Sequence, residues 1–432
     1  MADWWLRLLR NSLPYDSSCF VVPALCNYRR SPRYFDGRVF DQRAQSLFDS
    51  TQDDEDRIIG VTLEEYSRYP YGYHFDATQL AEFLAQYSVR AGVRRVLDTV
   101  SNVELDSQGN IRSVDTESHG PIEADLYVDC SGFKAILISG ALHEPFISYA
   151  NELPNDRAIA ARIPYAPSGT DIDPYTTATA LSAGWAWNIP LYHRLGTGYV
   201  YSSAFREPED AEVEFRQHLG PKGSDIDVSH IRMRIGRSRN SWVRNCVAIG
   251  LSSGFVEPLE STGIFFIQHA VEELANHFPF QGDHKTKQLS YNAIVNACMD
   301  GIRDFLVIHY VASDRRDTDY WRSMEDLDPP PELAERLRIW KEYSPNIKNV
   351  PSQFHGFQVY SYTCILFGLG YLPASIKPLL YIKDETLGLR AFERKWRLAA
   401  TLAKMLPSHR EYLDHVRSEA YRGQEALTPD GH

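Results

Sequence analysis

No apolar run in this chain reaches the length of a membrane span, and Met1-Ala-Asp-Trp-Trp-Leu-Arg7 lacks the basic start and apolar stretch of a signal peptide. Cysteine is sparse: Cys19, Cys26, Cys130, Cys246, Cys298 and Cys364 stand alone, with no C-x-x-C pair. They read as reduced core thiols, so the expectation is a soluble cytoplasmic protein without a zinc site. The 14 histidines show no H-E-x-x-H or other ligand spacing, and His309 reads as a core histidine. Positive charge is in deficit, with 45 Lys and Arg against 57 Asp and Glu and a net charge of −12. That balance argues against nucleic acid or an acidic membrane surface as the main partner.

At 432 residues the chain can fill two or three lobes around a sizeable core. Its aromatic content, 12%, fits a pocket for a flat apolar substrate and fits a large aromatic core equally well. Residues 1–48 open on an apolar helix face at Trp4, Trp5, Leu8 and Leu9, like a beginning cut off. Asp76 or Thr78 is expected to cap a helix running to about Ala91, with Leu80, Phe83 and Leu84 on one face. Period-two patterning then predicts short strands at Val93–Leu97, Val100–Leu105 and Ile111–Val114, with a turn at Asp106–Asn110. A further strand is expected over Glu123–Asp129, ending on Cys130-Ser131-Gly132, where the glycine lets backbone approach a ligand or simply ends the strand.

Two stretches carry more chemistry. In Gly184-Trp185-Ala-Trp187-Asn-Ile189-Pro190 the tryptophans are two apart, so on a strand they share a face, as an indole wall or as ordinary core aromatics. The other stretch is Gly254-Phe-Val-Glu-Pro-Leu-Glu260-Ser261-Thr262-Gly263, between a strand expected at Asn245–Leu251 and a helix. In that helix Ile264, Ile267, Val271, Leu274 and Phe278 recur at helical spacing while Phe265, Phe266 and Ala270 fill the other side, which predicts burial nearly all round. The first amides of a helix lack internal partners and carry the positive end of its dipole. Ser261, Thr262 and Gly263 therefore offer donors to an anion, and Glu260 is expected to be ionised there. An ordinary helix capped by Ser or Thr is the other reading. After residue 281 the chain reads as helices at Gln288–Phe305, Pro331–Glu342 and Glu393–Met405, broken by Asp328-Pro-Pro-Pro331.

Gly184-Trp185-x-Trp187-x-Ile189-Pro190 resembles the G-W-x-W-x-I-P signature of flavin-dependent halogenases, and Glu260-Ser261-Thr262-Gly263 resembles the same family's glutamate and halide fingerprint. Residues 65–280 are similar to the tryptophan halogenase branch, as are Arg303-Asp-Phe-Leu-Val-Ile-His309-Tyr310, Asp317-Thr-Asp-Tyr-Trp321 and Leu406-Pro-Ser-His-Arg-Glu-Tyr-Leu413. The resemblance implies an α/β fold of α+β character. It would combine an FAD-dependent monooxygenase-like flavin module of glutathione reductase type with a mostly helical C-terminal substrate module. Residues 1–64 would be a loop and helix segment of the substrate module, 65–280 the flavin and halide core, and 281–432 the helical part.

The implied activity, expected to serve antibiotic or other secondary metabolism, is halogenation of an electron-rich aromatic such as tryptophan or another indole. FADH2 from a separate, diffusing flavin reductase forms a hydroperoxide that chloride or bromide attacks, and the hypohalous acid travels inside the protein to the substrate. Carried over by position, Glu260 is the catalytic residue and Thr262 and Gly263 hold the halide. Leu251, Ile264, Val96 and Gly132 face the cofactor, and Ser261, Trp185, Trp187, Phe357 and Tyr360 line the tunnel and substrate side. A homodimer stays open.

Two departures accompany the resemblance. No G-x-G-x-x-G precedes the motifs, and the first lysine is Lys134, so the family's N-terminal FAD turn and its catalytic lysine have no counterpart. The expectation is that the sequence is truncated, with its true start upstream of Met1; an inactive homologue and a hydroxylating monooxygenase are the alternatives. Further on, Tyr343 to Tyr362, with Phe354, Phe357 and Tyr360, contains no acidic residue to pair the ammonium of free tryptophan, which leaves a modified indole, a phenol or a carrier-bound substrate open.

Overall fold

The computed structural model describes residues 19–20, 73–165, 172–279, 284–352, 355–374 and 407–425, with positions 390, 393 and 397. The helices expected near Trp4 and over Glu393–Met405, and Phe354, lie outside the described residues apart from those isolated positions. In chain order the elements begin with β1 (Cys19–Phe20) and α1 (Ala77–Arg90), followed by β2 (Val100–Leu105), β3 (Ile111–Thr116), β4 (Gly120–Glu123), β5 (Tyr127–Asp129) and β6 (Phe146–Ser148). Next come β7 (Arg157–Pro164), β8 (Thr177–Leu181), β9 (Gly184–Pro190), β10 (Arg194–Tyr201), α2 (Pro208–Leu219), β11 (Val228–Arg232) and β12 (Gly236–Ser238). The rest are β13 (Trp242–Val243), β14 (Cys246–Ala248), β15 (Gly254–Phe255), α3 (Gly263–Asn276), α4 (His284–Val311), α5 (Asp319–Ser323), α6 (Pro331–Glu342), α7 (Val359–Gly368) and α8 (His409–Glu425).

Asp76 caps α1 as its position predicts, accepting from the Thr78 amide at 2.9 Å. Yet α1 buries none of its residues, and Phe83 and Leu84 are exposed. The meander is β2-β3-β4, and Asp106 closes its first turn by accepting from the Asn110 amide at 2.9 Å. Val93–Leu97 is not a strand, and the stretch expected as one strand over Glu123–Asp129 is split between β4 in the meander and β5, which pairs in parallel with β14. Ala124-Asp125-Leu126 carries the chain from one sheet to the other, a change of partner that side-chain alternation does not encode.

The largest sheet has the order β1-β8-β9-β10-β7-β11. In it β9 and β10 form a hairpin, with Trp187 between Ala178 and Gly198 and Trp185 between Ala180 and Val200. Small neighbours leave room for the Trp187 indole: a Cβ on Gly198 would lie 2.1 Å from the indole and 2.4 Å from the Ile159 carbonyl oxygen. One apolar cluster runs from Tyr149 and Trp185 through Phe266 and most of α4 to Trp340, Tyr362 and Leu366, so the tryptophan sheet and the helical part share a core. Beneath it, Asp300 on α4 takes a two-pronged contact from Arg237 of β12, 2.9 Å on each oxygen, and accepts from the Tyr149 hydroxyl. That ties helix to sheet. No helix among the described residues is long and apolar enough to cross a membrane.

Candidate active site

The strand-to-helix junction is more elaborate than its sequence suggests. β14 is followed by a short 3-10 turn at Gly250–Ser252, then β15, then a buried stretch in which Val256, Glu257 and Leu259 anchor the chain. Ser261 adopts a left-handed backbone (φ 55°), and its amide donates to the Pro258 carbonyl at 2.9 Å. This tight turn delivers the chain to α3. Thr262 occupies the N-cap position, buried, but makes no capping hydrogen bond with its side chain, and a Cβ on Gly263 would meet nothing within 4 Å. The start of α3 is thus uncapped by its own side chain and open above the glycine, which suits an anion held by hydroxyl and amide donors.

Glu260 does not turn to that helix end. Its Oε1 lies 3.0 Å from Nε2 of His309, which is buried near the C-terminus of α4. His309 is a core histidine as expected, but one whose hydrogen bond reaches the site. Its Nδ1 is 3.1 Å from the Phe305 carbonyl oxygen. Phe305 meets the His309 ring edge to face at 5.5 Å and stacks on Phe357 at 3.7 Å, so Phe357 belongs to the aromatic surround of the pair. Tyr360, in the first turn of α7, is 54% exposed.

Three residues before Glu260, Glu257 is fully buried. It accepts from Trp185 Nε1 at 2.8 Å, Asn155 Nδ2 at 2.8 Å and the Tyr310 hydroxyl at 2.6 Å. Burial pushes its pKa up, against the pull of these three donors and of His309. Trp185 is buried beside Trp187, ring centres 6.2 Å apart and planes at 58°, a tilted pair on one sheet face. Glu257, His309 and Phe305 escaped the sequence reading because each sits inside an apolar run that reads as core. The one signal was a carboxylate within Val256-Glu257-Pro258-Leu259, where an acidic side chain has no apolar reason to be.

On the outer side, α3 departs from its expected burial. Only Phe266, His269 and Ala270 are buried, whereas Ile264 (49%), Ile267 (40%) and Val271 (51%) are exposed, as is Leu251 (40%). The helix keeps one face in the core and leaves an apolar stripe open beside the Gly250–Ser252 turn, which packs on α3 and on the Gly132–Lys134 turn. Gly132 (φ 72°) has open space at its Cβ position. The turn of Leu251 thus touches both the turn of Gly132 and the helix of Ile264, whereas Val96 is half-buried between α1 and β2. Asp129, at the end of β5, is buried and structural: it accepts from the amides of Ser131, Leu137 and Ile138 at 2.9 Å each. Of the cysteines expected as core thiols, Cys246 and Cys298 are buried, Cys364 is half-buried and Cys130 is exposed. An open apolar surface next to a donor-lined helix start fits the flat ring system of a flavin, whose negative pole such donors would meet.

Sheets and helices that share one core make this an α/β protein of mixed architecture. A family model described as tryptophan halogenase matches residues 42–385. The 7-chloro-L-tryptophan 6-halogenase KtzR of Kutzneria sp. (strain 744) is 45% identical over 420 residues, 96% of this chain and 80% of the relative. The tryptophan 6-halogenase SttH of Streptomyces toxytricini is 46% identical over 415 residues, 95% and 78% of the two chains, and its crystal structure matches with a TM-score of 0.81. Tar14, a tryptophan C-6 flavin-dependent halogenase from taromycin biosynthesis, also gives 0.81, at 44% identity over 96% of this chain and 79% of its own. The chain belongs to the tryptophan halogenase family of flavin-dependent enzymes, which use FAD and a halide.

Proposed function

We propose that this protein chlorinates or brominates tryptophan or another indole, using FADH2 delivered by a separate, diffusing flavin reductase. The observation that carries the reading is the split at one helix start: Glu260 turns inward onto buried His309, while Ile264, a turn on, and Leu251 face outward. FAD would lie against Leu251, Ile264 and Gly132, with Val96 added by resemblance, and once reduced and exposed to dioxygen it supplies the oxidising power that makes hypohalous acid from halide. Thr262 and Gly263 hold the halide through hydroxyl and amide donors. Trp185 and Trp187 form the wall between the two sides, Ser261 stands at the passage, and Phe357 and Tyr360 flank the substrate.

When the ring carbon takes the halogen it becomes cationic and must lose its proton. Glu260, a carboxylate with its other side tied to His309, stabilises that cation and accepts the proton at its free oxygen. The Glu260–His309 contact keeps the carboxylate aimed and gives the proton a second site. The test supplies the protein with FAD, a flavin reductase, NADH, bromide and tryptophan, and analyses products by mass spectrometry. Brominated tryptophan is the expected result. Hydroxylated product without brominated product overturns the reading in favour of a monooxygenase, and no product with tryptophan, indole or a phenol removes the activity from this chain.

A further inference from the structure

Glu257 takes no part in the steps above, yet three segments that build the site converge on its Oε2. Trp185 Nε1 comes from the tryptophan strand, the Tyr310 hydroxyl from α4, and Asn155 Nδ2 from the turn before β7, at 2.8, 2.6 and 2.8 Å. Asn155 Nδ2 also reaches the Tyr310 hydroxyl at 2.9 Å, and the Tyr320 hydroxyl donates to Asn155 Oδ1 at 3.0 Å, so α5 joins the same knot. Among the described residues the other oxygen, Oε1, is buried and makes no hydrogen bond.

A carboxyl group is an expensive way to fill a core, because its desolvation carries a cost that an apolar side chain of equal volume does not incur. Apolar packing, however, is non-directional, whereas three hydrogen bonds to one atom fix the direction of each donor. Two of the three donors adjoin a group of the proposed site: Trp185 packs on Trp187, and Tyr310 follows His309 on α4. The acceptor, Glu257, is joined to Glu260 through Pro258 and buried Leu259.

We infer that Glu257 is a positioning residue, which holds the Trp185 ring and the Glu260–His309 pair in one fixed arrangement through Trp185 and Tyr310. The inference rests on the halogenase reading for its kinetic consequence and on the knot alone for its structural one. A misplacement of about 1 Å at a reacting group costs on the order of a hundredfold in rate.

The test compares Glu257→Leu, which keeps the volume and removes the acceptor, with Glu257→Gln, whose amide oxygen can still accept all three donors. Two NMR signals are followed in 15N-labelled protein: the Trp185 indole N–H, assigned by its loss in Trp185→Phe, and the His309 ring nitrogens, assigned with His309→Gln. Turnover is measured alongside by bromination. Glu257→Leu is expected to move both signals and to lower kcat roughly tenfold to a hundredfold with KM within about threefold. Glu257→Gln should leave the His309 signal in place and kcat within about threefold. If Glu257→Leu does not fold, Tyr310→Phe and Asn155→Ala each remove one donor and should move the Trp185 signal. An unmoved His309 signal in folded Glu257→Leu, or equal losses in the Gln and Leu variants, overturns the proposal. Absence of bromination by the unmodified protein counts against the halogenase reading, and the two NMR signals then decide the positioning role by themselves.

Discussion

The imidazole of His309 is held at both nitrogens, Nε2 3.0 Å from Glu260 Oε1 and Nδ1 3.1 Å from the Phe305 carbonyl oxygen. Both ring nitrogens face oxygen acceptors, which fixes the orientation of the imidazole at the end of α4. Glu260 thus enters the reaction with one oxygen already held by an imidazole. His309→Gln, which keeps a polar group but cannot take up a proton, should lower kcat roughly tenfold to a hundredfold with little change in flavin binding. Glu260→Gln should lose more, on the order of a hundredfold or beyond. Steady-state bromination with a flavin titration checks both; undiminished turnover in Glu260→Gln would remove it from the mechanism.

Gly198 is expected to be intolerant of a single methyl group. An alanine Cβ there would overlap the Trp187 indole at 2.1 Å and the Ile159 carbonyl oxygen at 2.4 Å. The backbone oxygen belongs to β7 and cannot swing aside, so both the sheet and the indole must shift. Gly198→Ala should destabilise the protein by about 2–4 kcal/mol, measured by urea unfolding. A change under about 0.5 kcal/mol would contradict this packing.

The exposed stripe on α3 gives a test of the flavin side that needs no turnover. Ile264→Asp puts a charge where an apolar contact is proposed, on a side chain whose exposure means the fold should not suffer. FAD affinity, read by spectral titration, should fall about tenfold or more, whereas Val213→Asp, exposed on α2, should leave it unchanged. Equal affinity in both variants would place the flavin elsewhere.

How much of this was legible beforehand follows from what one-dimensional patterns encode. The Asp76 cap and the Asp106 turn are local, set by a side chain and the amides beside it, and the sequence predicts both. The split of 123–129 between two sheets, and the pairing of Glu260 with His309 across 49 residues, depend on partners that no local period records. Helical spacing predicts that α3 is apolar on all sides, but not which apolar face the rest of the chain covers. Trp185 and Glu260 were found through the family's two fingerprints; Glu257, between them in space, had only its odd placement in an apolar run to mark it.

The charge state of Glu257 makes a last expectation, one about stability. Burial, outweighing the Trp185, Tyr310 and Asn155 hydrogen bonds and the attraction of His309, raises its pKa above the ordinary glutamate value of 4.5. The folded protein then keeps a proton that the unfolded chain releases near that value, so the favourable contribution is complete below it and declines as pH rises toward the folded pKa. The slope can reach about 1.4 kcal/mol per pH unit where only the folded form is protonated. Buried Asp304 shifts in the same direction, also through burial, but is common to wild type and variant and cancels in their difference. Urea midpoints measured from about pH 4 to about pH 8 for wild type and Glu257→Gln should therefore diverge, with wild type losing ground to the variant as pH rises. A difference that stays flat across that range would mean Glu257 is ionised in the fold, its charge borne by the three donors alone.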